Sequence, residues 1–161
     1  MTGWWKHFEF LRFDPKGEFY RQRVMQDDLS ERVTPGTAMD VGLMIYRVAE
    51  VLAVGVSIAR NLGWDPTAAT AGFAFRWTGL TGRQLSSWVN PLRWVDGLGR
   101  QSHTAAADAF VQVSLETPHS ALAPCVKDVV GSLFTSFDGY TPSQEFIETY
   151  VRKMIQRNMD S

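Results

Sequence analysis

VGLMIYRVAEVLAVGVSIARNL, residues 41–62, decides the fold. Val41, Leu43, Met44, Ile45, Val48, Val51, Leu52, Val54, Val56 and Ile58 occupy almost every angular position of a helix. A surface helix carries one apolar stripe, so a helix apolar all round must be covered on more than one side. We read residues 41–62 as a central helix, packed on a sheet and covered by other helices or by another subunit. Its start is marked twice: Thr34 with Pro35 suits an N-cap followed by Pro at the first helical position, and Thr37 with Asp40 offers a capping box. Asn61, Gly63 and Pro66 mark the stop. Arg47 and Glu50 interrupt the apolar surface three residues apart, hence on one face. They pair, as a structural bridge or as a specificity device at an interface.

Upstream of this helix the chain reads as a β-hairpin. Trp5, His7, Glu9, Leu11 and Phe13 share one face of the first strand, with Phe8 and Phe10 on the other. Asp14-Pro15-Lys16-Gly17 has the chemistry of a tight turn. Residues 18–26 return as the second strand, which Asp27-Asp28 ends. Downstream, residues 68–77 alternate as a strand with Phe73, Phe75 and Trp77 on one face; residues 83–88 suit a short strand, and 105–115 alternate again. Residues 90–100, with Pro91, Gly97 and Gly99, read as a loop. Thr117-Pro118 predicts a helix to about residue 137. Thr141-Pro142-Ser143-Gln144 predicts another, burying Phe146, Ile147, Tyr150, Val151, Met154 and Ile155. Strands and helices segregate rather than alternate, so the expected class is α+β: an antiparallel sheet on a long central helix with two C-terminal helices. We expect residues 1–161 to form a single domain.

Composition narrows function mainly by exclusion. Of 161 residues, 16 are Lys or Arg and 17 are Asp or Glu, so bulk charge does not drive binding to nucleic acid or an anionic membrane. A single cysteine, Cys125, rules out an internal disulfide framework and any zinc site built on several cysteines. The three histidines, His7, His103 and His119, lie in different elements without ligand spacing, and no cofactor is expected. The start of the chain lacks signal-peptide features, and the most apolar run, residues 51–59, is shorter than the ~20 residues of a membrane span. The expected setting is the cytoplasm, with no membrane partner.

Catalytic motifs are missing too: no GxxxxGK[ST], GxGxxG, GxSxG or HExxH occurs. Cys125 with His119, and the acid pairs Asp27-Asp28 and Glu145/Glu148, suit structural roles better than chemistry. Residues 71–101 stand out, with Arg76, Arg83, Arg93 and Arg100 against Asp96 alone, together with Trp77, Trp88 and Trp94. Arginine beside aromatics suits a protein interface, where such residues dominate hot spots, or phosphate contact with base stacking. Arg76, Arg83, Trp88, Arg93 and Trp94 are therefore the candidate binding residues, with Arg47 and Glu50 as a candidate interface pair.

The run FAFRWTGLTGR at 73–83, continued by LSSW at 85–88 and Asn90-Pro91, joins Gln26-Asp27-Asp28 and Arg47-Val48-Ala49-Glu50 in a wider pattern. Together they resemble the C-terminal modules of bacterial proteins that carry a Schlafen AlbA-like DNA-binding domain, over roughly residues 8 to 155. In such proteins the DNA-binding domain lies upstream. The resemblance implies an accessory role in regulation or defence, through ligand sensing or assembly, and brings no functional residues with it. The expectation is a non-enzymatic interaction or regulatory module that binds a protein partner or itself as a homo-oligomer. The alternative is a nucleic-acid-binding protein that uses the Arg/Trp segment.

Overall fold

A computed structural model describes residues 9–14 and 16–157. The hairpin comes first, β1 (Glu9–Asp14) antiparallel to β2 (Glu18–Arg23), closed by the Gly17 N–H donating to the Asp14 carbonyl at 2.9 Å. The expected strand residues Trp5, His7 and Phe8 lie outside the described residues. A single helical turn, α1 (Gln26–Leu29), follows, then β3 (Ala38–Asp40) and the long helix α2 (Val41–Asn61). β4 (Thr70–Thr78), β5 (Gln84–Ser86) and β6 (Ala106–Ser114) precede α3 (Ala123–Phe134) and α4 (Gln144–Gln156). The class is α+β, as expected.

The sheet is split where one sheet was expected. β1 pairs with β2 and β4 with β6, both antiparallel, while β3 pairs with β5 in parallel. A parallel pair needs a crossover, which here is α2 and β4 together. β4–β6 is a half-buried ribbon: Phe73, Phe75 and Trp77 turn toward the helices with Val111 and Val113, while Ala74, Arg76 and Phe110 face outward.

α2 fulfils its sequence pattern by being covered on three sides. α3 and α4 pack on it and on each other, β4 runs along it, and Ile45, Leu52, Val56, Leu133, Phe134 and Ile147 are fully buried between them. α4 approaches so closely that a methyl at Gly42 would overlap the Tyr150 phenol, and Phe73 lies on Gly55 in the same way. As a whole, α2 is long and apolar enough by length and composition to cross a membrane, a correction to the reading from residues 51–59 alone. The Arg47–Glu50 bridge (2.9 Å) pairs its interior charges, and 56% of its most apolar window is buried inside the protein.

Helix starts differ in detail from expectation. Asp40, not Thr34 or Thr37, caps α2, its Oδ1 accepting the Leu43 N–H at 2.9 Å. α3 begins at Ala123 rather than after Pro118, because residues 119–121 form a separate 3₁₀ turn. Ser143, not Thr141, caps α4 through the Phe146 N–H.

Candidate binding surface

Two features compete to be the functional site: a buried polar cluster beneath α1, and an open groove beside the hairpin. The cluster is built from α1, β3 and the residues around β5. Asp27 Oδ1 accepts both the Asp40 N–H (2.7 Å) and the Trp88 indole N–H (2.8 Å). Asp40 spends its second oxygen on the Val89 N–H (2.9 Å). Burial pushes both carboxyls above the usual range; their hydrogen bonds work against that, while the Asp27 charge reinforces it at Asp40. Next door, Arg83 grips Asp28 with both terminal nitrogens (2.7 and 2.6 Å) and donates to the carbonyls of Ala38 and Gly79 (2.9 and 2.8 Å). The guanidinium holds the Asp28 carboxyl below its ordinary value.

Such a cluster resembles a carboxylate dyad only in composition. General acid–base work needs a carboxyl that can reach a substrate, and Asp27 Oδ1 and both oxygens of Asp40 accept from N–H donors of the protein itself, in residues that are 2% and 3% exposed. The cluster acts as a clamp that ties α1, the root of the hairpin, to β3 and to the turn before β5. Among the described residues no group of His, Cys, Asp and Glu could hold a metal ion. A Ser57–His119 contact (3.2 Å) joins α2 to the 3₁₀ turn, but no carboxylate orients the imidazole among the described residues. The Cys125 thiol is pushed up by burial and by Asp128, away from the thiolate a nucleophile requires.

The candidate residues of the Arg/Trp segment do not converge on one patch. Arg83 is 4% exposed and belongs to the clamp, and Trp88 is half-buried on Asp27. Arg93 lies over the rings of Phe146 and Tyr150 (5.3 and 5.1 Å to the centroids) and so pins the β5–β6 loop to α4. Arg76 is exposed on β4, 3.7 Å from Asp108 on the neighbouring strand. Trp94 is 77% exposed on the loop. Arg47 bridges Glu50 and also donates to Gln26 (2.7 Å), fastening α2 to the hairpin root.

The groove is the feature that the sequence reading missed. Among the described residues β1 and β2 pack chiefly on each other, with Arg23 at the end of β2 lying near Arg47 and Glu50 of α2. The hairpin stands off the body and encloses, with α2 and β4, an open groove of about 2310 Å³. Its far end lies toward Trp64, whose ring would be 3.9 Å from a methyl group added at Gly17. Val51, Val54 and Ile58 form an apolar stripe along the floor, and β4 forms a wall with Phe73 and Phe75. β4 has β6 as its strand partner, which leaves its other edge unpaired along this wall.

Both faces of the hairpin mix apolar with polar and charged side chains: Glu9, Arg21 and Arg23 on one, Arg12, Asp14, Glu18 and Gln22 on the other. Cross-strand pairing places Leu11, Phe13 and Phe19 on one face, and Phe10 and Tyr20 on the other. These five side chains are 46–57% exposed. The signal was present in residues 9–24, which set aromatics at 10, 13, 19 and 20 among charged residues on both faces. In comparisons with protein-family models, with curated proteins and with solved structures, nothing matches this chain.

Proposed function

We propose that this chain is a non-enzymatic interaction module that associates with a second copy of itself through the hairpin and the groove beside it. One observation carries the reading: a two-stranded ribbon holds Phe10, Leu11, Phe13, Phe19 and Tyr20 about half-exposed beside an open groove of its own chain. An isolated ribbon is marginal in water, and exposed apolar patches of this extent mark interaction sites in soluble proteins. Four half-exposed aromatic side chains, each offering roughly half of the ~150–250 Å² an aromatic can bury, with Leu11, Val24 and the groove stripe supply on the order of 500 Å² per copy toward the ~800 Å² that a stable interface takes from each partner. The groove, at about 2310 Å³, exceeds the ~300–1,000 Å³ of small-molecule sites and suits a polypeptide.

Sedimentation of the full chain across the micromolar range tests this. The expected result is a dimer that becomes monomeric in Phe13→Asp/Phe19→Asp, with the circular dichroism of the helices retained. A wild-type monomer throughout, or a double variant of unchanged mass, would overturn the proposal.

A further inference from the structure

We propose that the groove takes an extended peptide, added as a strand on the open edge of β4, with an acidic residue held by Arg23 at the hairpin root. The proposal goes beyond self-association. It shares the Val51–Val54–Ile58 stripe with the contact between copies, so peptide and second copy compete for one seat.

Two walls of the groove change character in the same direction. Along α2, Arg47, Val51, Val54 and Ile58 fall at helical spacing on one face, a cation at the root end followed by three apolar side chains. The hairpin face that brings Arg23 near Arg47 and Glu50 carries Glu9, Arg21 and Arg23 at the root, with Leu11, Phe13 and Phe19 toward the turn. Two of the three guanidiniums are matched, Arg21 by Glu9 and Arg47 by Glu50. Among the described residues the Arg23 side chain has no ion pair or hydrogen bond, and residues 1–8 contain no Asp or Glu. Partial burial of its guanidinium, and then the charges of Arg47 and Arg21, lower its pKa against the pull of Glu50 and Glu9. An arginine stays charged all the same, so three guanidiniums against two carboxylates leave one positive charge in excess. A carboxylate is the planar acceptor that matches it.

The β4 wall selects what carries that carboxylate. Every residue from Ala68 to Gly79 lines the groove. Successive side chains of a strand point to opposite faces, so an unbroken run means that the backbone edge itself faces the opening. Among the described residues β4 pairs with β6 alone, which leaves this edge unpaired. An acyl chain laid along it would displace water from the N–H and C=O groups and leave them without partners. A peptide pairs with them and places alternate side chains on the α2 stripe. From Arg47 to Ile58 the helix rises about 16 Å, the length of about five extended residues. The occupant is a short stretch of alternating apolar residues that ends in Asp or Glu.

Fluorescence anisotropy tests this with a fluorescein-labelled peptide of alternating valine and threonine ending in two aspartates, in protein diluted until it sediments as a monomer. The comparators are the same peptide ending in two lysines, the acidic peptide N-methylated at every valine or at every threonine, and a fluorescent long-chain fatty acid. The acidic peptide is expected to bind, and the lysine ending to weaken binding by about tenfold or more. One of the two methylated forms is expected to weaken it as much, because alternate N–H groups of a strand point to one edge. In Arg23→Glu, with the circular dichroism of the helices retained, the preference is expected to reverse toward the lysine ending. Absent binding of the acidic peptide, equal binding of the two endings, full binding of both methylated forms, or a fatty acid that binds more tightly than the peptide would overturn the proposal. A chain that binds the peptide as expected and never dimerises would overturn self-association alone, and a dimer blind to the peptide would overturn this site alone.

Discussion

Asp27 and Asp40 look alike in sequence and in burial, yet their hydrogen bonds predict opposite responses to the same change. Both donors to Asp27 converge on Oδ1, so Asn at position 27 keeps each bond and removes a charge that burial disfavours. Asp40 uses both oxygens, for the N–H groups of Leu43 and Val89. Asn at position 40 sets an NH₂ against one of those donors, at a cost of about 1–3 kcal/mol. A carboxyl whose folded pKa is raised binds more protons folded than unfolded, so its contribution to stability is complete below its ordinary value of 3.8 and is lost as pH rises through the folded value. Asp27→Asn is therefore expected to melt above wild type at pH 7, with the gap closing toward pH 4. Asp40→Asn is expected to melt below it at pH 7. Melting curves of the two variants at both pH values check this; an Asp27→Asn that loses stability at pH 7 would contradict the assigned bonding. Asp28 behaves oppositely: Arg83 lowers its pKa, so the clamp it forms holds above 3.8 and fails in stronger acid.

At the scale of elements, the contact between α2 and α4 gives a second expectation. Glycine is costly in a helix, and Ala would ordinarily gain up to ~1 kcal/mol there. At position 42 the added methyl would enter the Tyr150 phenol, so Gly42→Ala is expected to destabilise by about 1–3 kcal/mol, with partial recovery in Gly42→Ala/Tyr150→Phe. Urea midpoints measure both variants, and an unchanged midpoint for Gly42→Ala would show that the helices do not approach as described.

The elements legible from sequence were the hairpin, α2, β4, β6, α3 and α4, which are long enough to display a period, and β5, which the turn at Gly79–Gly82 sets off. α1 and β3 were not, since four and three residues hold no full repeat. The parallel β3–β5 pairing joins positions 46 apart, as Ala38 with Gln84, and local alternation carries no trace of it. Pairing at a distance also explains the candidate site. Counting charges in residues 71–101 made Arg83 look available, whereas its carboxylate lies 55 positions upstream at Asp28. The all-round apolar character of α2 did point to cover on several sides, and one of those sides, the Val51–Val54–Ile58 stripe, opens on the groove.

For the whole molecule, the split sheet means that stability is unevenly held. Helices α2, α3 and α4 with β4–β6 share the buried core. The hairpin is fastened at its root, where Gln26 of α1 accepts from Arg47 of α2, and its far end lies near Trp64. Opening of the ribbon leaves the core intact, so its cross-strand amides can exchange with solvent deuterium without global unfolding. If a second copy covers the ribbon, that local opening competes with association, and slowing follows mass action. The amides of β1 and β2 are then expected to exchange more slowly as protein concentration rises, while those of α2 and α3 keep one rate at every concentration. Ribbon exchange independent of concentration would contradict this. Protection in one hairpin thus becomes a property of how many molecules share the solution.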